Sequence, residues 1–199
     1  MENLIRKDSD RIKLFKKYGY DIPKARSFIL SKSELAKGGS MLEIGTGKGH
    51  MSVVLAKEGF RLISIDLDRK AQNIARMHLK SIKRSSSIIL KIMDAEKLRY
   101  KDNAFDYVIS VNFIHHAKNP GRCLKEMIRV AKNKLIIADI NKRGERIMEK
   151  MHKRDGHSHG ISKMSLKGIE ALLKKKGMEV RVYEDICQTV LIAKKEAAK

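Results

Sequence analysis

The chain has 199 residues, 42% hydrophobic and 34% charged, with 44 Lys+Arg against 23 Asp+Glu and a formal net charge of +21. That length and balance suit one folded domain, or one domain with a small appendage, and exclude an intrinsically disordered chain. No apolar run reaches the roughly 18 residues of a membrane span, and Met1 to Asp8 lack the apolar core of a secretory signal, so the expectation is a cytoplasmic protein with no membrane partner.

A positive excess of this size attracts polyanions at long range. Basic clusters such as Arg69-Lys70, Lys83-Arg84 and Lys174-Lys175-Lys176 could track a phosphate backbone, or could simply solvate helix faces. Cys123 and Cys187 lie far apart and neither belongs to a CxxC unit, which points to two reduced, buried thiols rather than to a zinc ribbon or a redox motif.

Taken in order, Leu4 to about Ala36 reads as helix with a break at Gly19 to Pro23. Residues 1–38 are thus a basic helical leader, expected to cap the domain or to present a partner surface. The main domain spans 39–199. Its first strand is Met41 to Ile44, followed by a glycine turn and a helix from Lys48 to Glu58. Arg61 to Asp68 holds a second strand ending in acids, and a helix runs from Arg69 to about Lys83. Ser85-Ser86-Ser87 is a turn, Ile88 to Met93 a third strand stopped by Asp94, and Phe105 to Val111 a fourth. Asn119-Pro120-Gly121 opens a helix reaching Lys132, and Lys134 to Ile140 is the fifth strand. Strands alternating with helices imply parallel pairing with right-handed crossovers.

The pattern changes after Ile140. A basic, glycine-interrupted insert near 141–164 contains His152, His157 and His159, and reads as a mobile segment over the sheet, better suited to a lid than to a metal site. A helix from Ser165 to Lys176 follows, and then Met178 to Glu184 and Ile186 to Ala193, joined so briefly that they must form a hairpin. The expected fold is α/β: a doubly wound, mostly parallel seven-stranded sheet with an antiparallel last strand, Rossmann-like.

The centre of this pattern is Met41-Leu42-Glu43-Ile44-Gly45-Thr46-Gly47-Lys48-Gly49-His50. Glycine lets a ligand lie against bare backbone and tolerates φ > 0, and the helix start beyond it offers unpaired N–H groups. A dinucleotide turn, G-x-G-x-x-G, would need a third glycine where His50 stands; a P-loop would need glycine at Leu42 and Ser or Thr at Gly49. Both fail. The remaining pattern, E-x-G-x-G-x-G from Glu43 to Gly49, resembles the class I S-adenosylmethionine-dependent methyltransferases. Phe105 to His116 is similar to the fourth-strand motif of their small single-domain members, and the closing hairpin agrees with that family's reversed last strand.

The resemblance implies S-adenosylmethionine as cofactor, bound by Glu43, Gly45, Gly47 and Gly49. Asp66 stands 21 residues beyond Gly45 to accept the ribose hydroxyls, and Asp94 to accept from the adenine amino group. Glu43 would meet either the cofactor's amino group or the backbone of the turn, while Lys48 would point outward. Asn112 occupies the place beside the reacting methyl, and His115 or His116 is a candidate general base. No D/N-P-P-aromatic signature of amino-nitrogen methylation is present, and neither cysteine stands where a covalent thiol would be expected. The acceptor is a small molecule or RNA. The alternative from a different class is an RNA-binding protein that keeps the fold with little or no catalysis.

Overall fold

The computed structural model describes residues 2–82, 87–155 and 164–195. The leader forms α1 (Glu2–Lys17) and α2 (Ile22–Ser33). The break between them is capped by Asp21, whose side chain accepts from the Lys24 amide at the start of α2, with Pro23 in that helix's first turn. There follow β1 (Met41–Ile44), α3 (His50–Lys57), β2 (Leu62–Asp66), α4 (Arg69–Lys80), β3 (Ile88–Ile92), β4 (Phe105–Val111), α5 (Pro120–Val130), β5 (Ala131–Ile140), α6 (Lys142–Asp155), α7 (Leu166–Lys175), β6 (Met178–Glu184) and β7 (Gln188–Lys195). Lys83-Arg84, Ser85 and Ser86 lie outside the described residues, as do His157 and His159.

The seven strands form one sheet in the order β3-β2-β1-β4-β5-β7-β6. Every neighbouring pair is parallel except those made by β7, which runs antiparallel to β5 and to β6. The sheet is therefore mostly parallel with its last strand reversed, as expected. The reversed strand lies inside the sheet: the short 185–187 connection sets it beside β6, and its other edge pairs with β5.

Two-residue alternation divides the core between the faces. Leu42, Ile44, Val108, Leu135, Ile137 and Leu191 point toward α5 and α7, where Leu124, Met127, Ile169 and Leu173 meet them. Met41, Tyr107, Ile109, Ile136, Ala138 and Val190 point the other way, onto Ile29 of α2 and onto Met51 and Leu55 of α3. Buried parallel strands read as continuous apolar runs for this reason. Among the described residues no helix is long and apolar enough to cross a membrane.

Two expectations change. Helix α5 ends at Val130 and β5 already begins at Ala131, where the sequence pattern suggests helix as far as Lys132. Residues 142–155 are the helix α6 and not an irregular segment. Its Ile147 and Met151 are buried in a third cluster with Phe15, Tyr20, Ile22 and Ala25 of the leader and Ile140 of β5. Gly144 is a packing residue here: a Cβ at that position would lie 2.4 Å from the Cys187 carbonyl oxygen, so the glycine lets α6 approach the 185–187 connection.

Candidate functional site

The carboxyl ends of β1, β2 and β4 converge on the glycine turn, the position at which open α/β sheets bind ligands. The amides of Gly45 and Thr46 both donate to the Ile65 carbonyl, at 2.9 and 3.0 Å, and this ties the turn to β2. Gly45 has φ of 83°, and a Cβ on it would come within 2.6 Å of Phe113. Gly49, at φ of 81°, would meet Ala75 of α4 at 2.8 Å. These two are glycine because the chain packs closely there. Gly47 differs: φ is 49° and nothing lies within 4 Å of where its Cβ would be. Its bareness faces open space, which a ligand can use.

The acids of the first three strand ends have three different surroundings. Asp66 stands beside the turn, its Oδ2 accepting from the Gly47 amide at 2.7 Å and its Oδ1 from the Asp68 amide at 2.9 Å. Each oxygen keeps a further lone pair for hydroxyl donors. Asp94 is exposed just past β3, with Oδ1 accepting from the Glu96 amide at 2.8 Å. Glu43, by contrast, is buried beneath the turn, and its Oε2 accepts from the hydroxyls of Ser52 on α3 and of Ser64 on β2. Ser64 is itself 2.6 Å from the Thr46 hydroxyl. Glu43 thus reaches the turn through side-chain hydroxyls, and among the described residues its carboxyl makes no hydrogen bond to the backbone of the turn. Burial pushes that carboxyl up to about 7, against the lowering effect of the two serine donors.

Lys48, its side chain more than a third exposed, pairs with the leader. Its Nζ is 2.6 Å from Asp8 Oδ1 on α1, while His50 Nε2 is 2.7 Å from Asp8 Oδ2. Burial opposes ionisation of Asp8, but these two partners hold its carboxyl down to about 2.

At the end of β4, Asn112 adopts φ of 53°, a left-handed conformation that Asn tolerates. Its amide is engaged at both ends: Nδ2 donates to the Tyr20 hydroxyl at 3.1 Å, and Oδ1 accepts from Gln188 Nε2 at 2.6 Å. The buried Arg26 completes the group, donating to Gln188 Oε1 at 3.1 Å and to the Tyr20 hydroxyl at 3.4 Å. Asn112 is thereby a joint between β4, β7 and the leader.

His115 lies in the short 3-10 turn Ile114–His116, and its Nδ1 is 2.5 Å from Asp139 Oδ1 on β5, with both side chains more than nine-tenths buried. Both line a cavity of about 830 Å³ walled by α6, the start of α7 and the ends of β6 and β7. Asp139 was not singled out from the sequence, although it lies one residue from the end of the fifth strand and the same strand-end acid pattern that flagged Asp66 and Asp94 applies to it. Tyr20 and Gln188 carried no signal, because each acts across more than 75 residues of sequence.

The comparisons with known proteins agree with this arrangement. A family model described as a methyltransferase domain matches residues 42–137. Norajmaline N-methyltransferase of Rauvolfia serpentina is 33% identical over 93 residues, 46% of this chain and 32% of that protein. The mitochondrial ubiquinone biosynthesis O-methyltransferase of Arabidopsis thaliana is 29% identical over 114 residues, 56% of this chain and 35% of that protein. The chain therefore spans about a third of the length of these curated relatives. Among solved structures, an S-adenosylmethionine-dependent methyltransferase from Aquifex aeolicus superposes with a TM-score of 0.67 at 23% identity, covering 85% of this chain and 88% of that one, which is a likeness of fold. With the glycine turn and the strand order around them, residues 42–137 are a methyltransferase domain of the class I S-adenosylmethionine-dependent type.

Proposed function

We propose that the protein is a cytoplasmic enzyme that methylates a small molecule with S-adenosylmethionine. The observation that carries the cofactor is the pairing of an open glycine, Gly47, with the Asp66 carboxylate 2.7 Å from its amide. In this reading Gly45, Gly47 and Gly49 form the bare cradle, Asp66 accepts from the ribose hydroxyls and Asp94 from the adenine amino group. Glu43 holds the cradle from below through Ser52 and Ser64. The bound cofactor supplies an electrophilic methyl on a sulfonium, so the protein's task is to align an acceptor, exclude water and remove a proton where the acceptor carries one. Asp139 orients His115 through Nδ1, and proton exchange with the acceptor falls to Nε2. Asn112 fixes the end of β4 behind this dyad.

The cavity favours a small acceptor over RNA. Its size is that of a small-molecule site, and its walls carry five carboxylates, Asp139, Glu145, Glu149, Glu170 and Glu184, against three cations, Lys142, Arg143 and Lys167. In a chain of net charge +21 that is a locally acidic wall, unsuited to a phosphate backbone. The two buried free cysteines fit a reducing compartment.

Calorimetry with S-adenosylhomocysteine tests the cofactor assignment: wild type binds, and Asp66→Ala binds at least tenfold more weakly. Unchanged affinity in a folded Asp66→Ala protein refutes it. Labelled cofactor incubated with cell extract before and after ribonuclease then separates the acceptors. Label that survives ribonuclease supports the small-molecule reading, and label lost with the RNA overturns it.

A further inference from the structure

We propose that Asp8, His50 and His78 form a site for a divalent transition-metal ion of the zinc type, outside the cofactor cleft, that braces the leader against the glycine turn. The three side chains come from three elements: Asp8 from α1, His50 from the first position of α3 and His78 from the last turn of α4. One ligand atom from each lies within 4.8 Å of the others. Both imidazoles present Nε2 to the same carboxylate oxygen, Asp8 Oδ2, at 2.7 Å from His50 and 3.5 Å from His78.

Two observations separate this cluster from an ordinary hydrogen-bonded carboxylate. Asp8 already has a cation, Lys48, on Oδ1, and a second partner, His50, on Oδ2, so the second histidine adds nothing the carboxylate needs. The Nε2 of His78 is buried with no hydrogen bond among the described residues. Leaving such an atom unsatisfied is unfavourable, and an ion held between the two nitrogens and Oδ2 would satisfy it. Two imidazoles and one carboxylate with a water in the fourth position is a zinc donor set. Lys48 fixes the rotation of the carboxylate from the far oxygen, the part that outer-shell partners play at metal sites. The Asp8 side chain is only 2% exposed, and His50 and His78 are 23% and 16% exposed, so the site is shielded yet reachable. Since Gly49 packs on Ala75 of α4, an ion joining residues 8, 50 and 78 would clamp both helices under the turn.

The test uses the full chain, stripped with chelator and dialysed. Zn²⁺ is titrated calorimetrically, and Co²⁺ by visible absorption, which reports four-coordinate ligation directly on the wild type. Three variants accompany it: His50→Gln, His78→Gln and the double His157→Ala/His159→Ala, the last removing a competing pair of histidines. The expected result is one equivalent of zinc, a four-coordinate cobalt spectrum, and a melting midpoint about 5–10 °C higher at zinc concentrations about 100 times Kd. His50→Gln and His78→Gln each weaken zinc by more than the roughly 10–100-fold that loss of an outer-shell partner costs, while His157→Ala/His159→Ala binds as wild type does. Absence of zinc uptake or of four-coordinate cobalt in the wild type overturns the proposal. So does binding that survives both single substitutions or vanishes only with His157 and His159. None of these readouts uses S-adenosylmethionine, so the metal site and the methyl-transfer reading stand or fall separately.

Discussion

Glu43 makes a quantitative prediction. Its carboxyl is fully buried, receives two neutral serine hydroxyls, and is raised from 4.5 to about 7 chiefly by burial. The unfolded chain loses this proton near pH 4.5, and the folded chain keeps it up to about 7. Between those values the native state binds more protons than the unfolded one, so stability falls as pH rises through the window and levels off above it. At about 1.4 kcal/mol for each pH unit of displacement, the loss is of order 3 kcal/mol. Glu43→Gln keeps the shape and one acceptor oxygen while removing the titration. Urea melts of both proteins from pH 4.5 to 8, compared as differences at each pH, cancel the other groups that titrate there, including the seven histidines. The difference should drift in favour of the Gln variant by about 2–3 kcal/mol across the window. A constant difference would show that the serine donors offset desolvation and that Glu43 is ionised throughout, refuting the assignment of a buried protonated acid.

The glycine turn separates packing from binding. Gly45→Ala and Gly49→Ala add a Cβ within 2.8 Å of Phe113 or Ala75 and should lower stability by about 2 kcal/mol or more in thermal melts. Gly47→Ala meets no neighbour and should cost only about 1 kcal/mol of backbone strain, yet weaken S-adenosylhomocysteine by tenfold or more in calorimetry. At the dyad, Asp139→Asn should leave that calorimetric affinity unchanged and reduce methyl transfer to the accepting extract fraction by about 10²-fold or more, with His115→Ala reducing it at least as far. Full transfer in both variants would remove the dyad from the reaction.

The strand pattern was legible because each buried parallel strand is a short apolar run bounded by polar residues, and the closing hairpin because its connection is too short for anything else. Helix α6 was not. Gly144 and the many charges of Lys142-Arg143-Gly144-Glu145-Arg146 read as an irregular segment, whereas the glycine is demanded by the Cys187 carbonyl and the apolar stripe of Ile147, Met148 and Met151 is needed to cover Phe15 and Ile22. A glycine that breaks a helix and a glycine that lets a helix approach another segment look the same in one dimension. The leader's attachments were equally silent, since Asp8 meets His50 and Tyr20 meets Asn112 only through the folded chain.

The acids show how far a motif reaches and why it stops. Glu43 and Asp66 both stand at a strand's carboxyl end in sequence, but the register gives them different surroundings. Glu43 pairs opposite Ser64, one residue short of the last parallel pair, Ile44 with Ile65, so the pleat turns it into the interior beside that serine. Asp66 is the first residue beyond that last pair, where β1 has already become the turn, so its carboxylate meets the Gly47 amide at the open end of the sheet. Ser64 and Asp66 share a face of the sheet, so it is the two-residue advance along the strand, past the last shared pair, that exchanges interior for cleft. Asp139 is set by the same rule on the other side of β4: β5 outlasts its pairing with β4 at Ala138, and the next residue, Asp139, is free of β4 and meets His115 across the gap. What positions an acid in such a site is its distance from the last shared ladder pair, a quantity fixed by which strands lie side by side and so invisible until the order of the sheet is known.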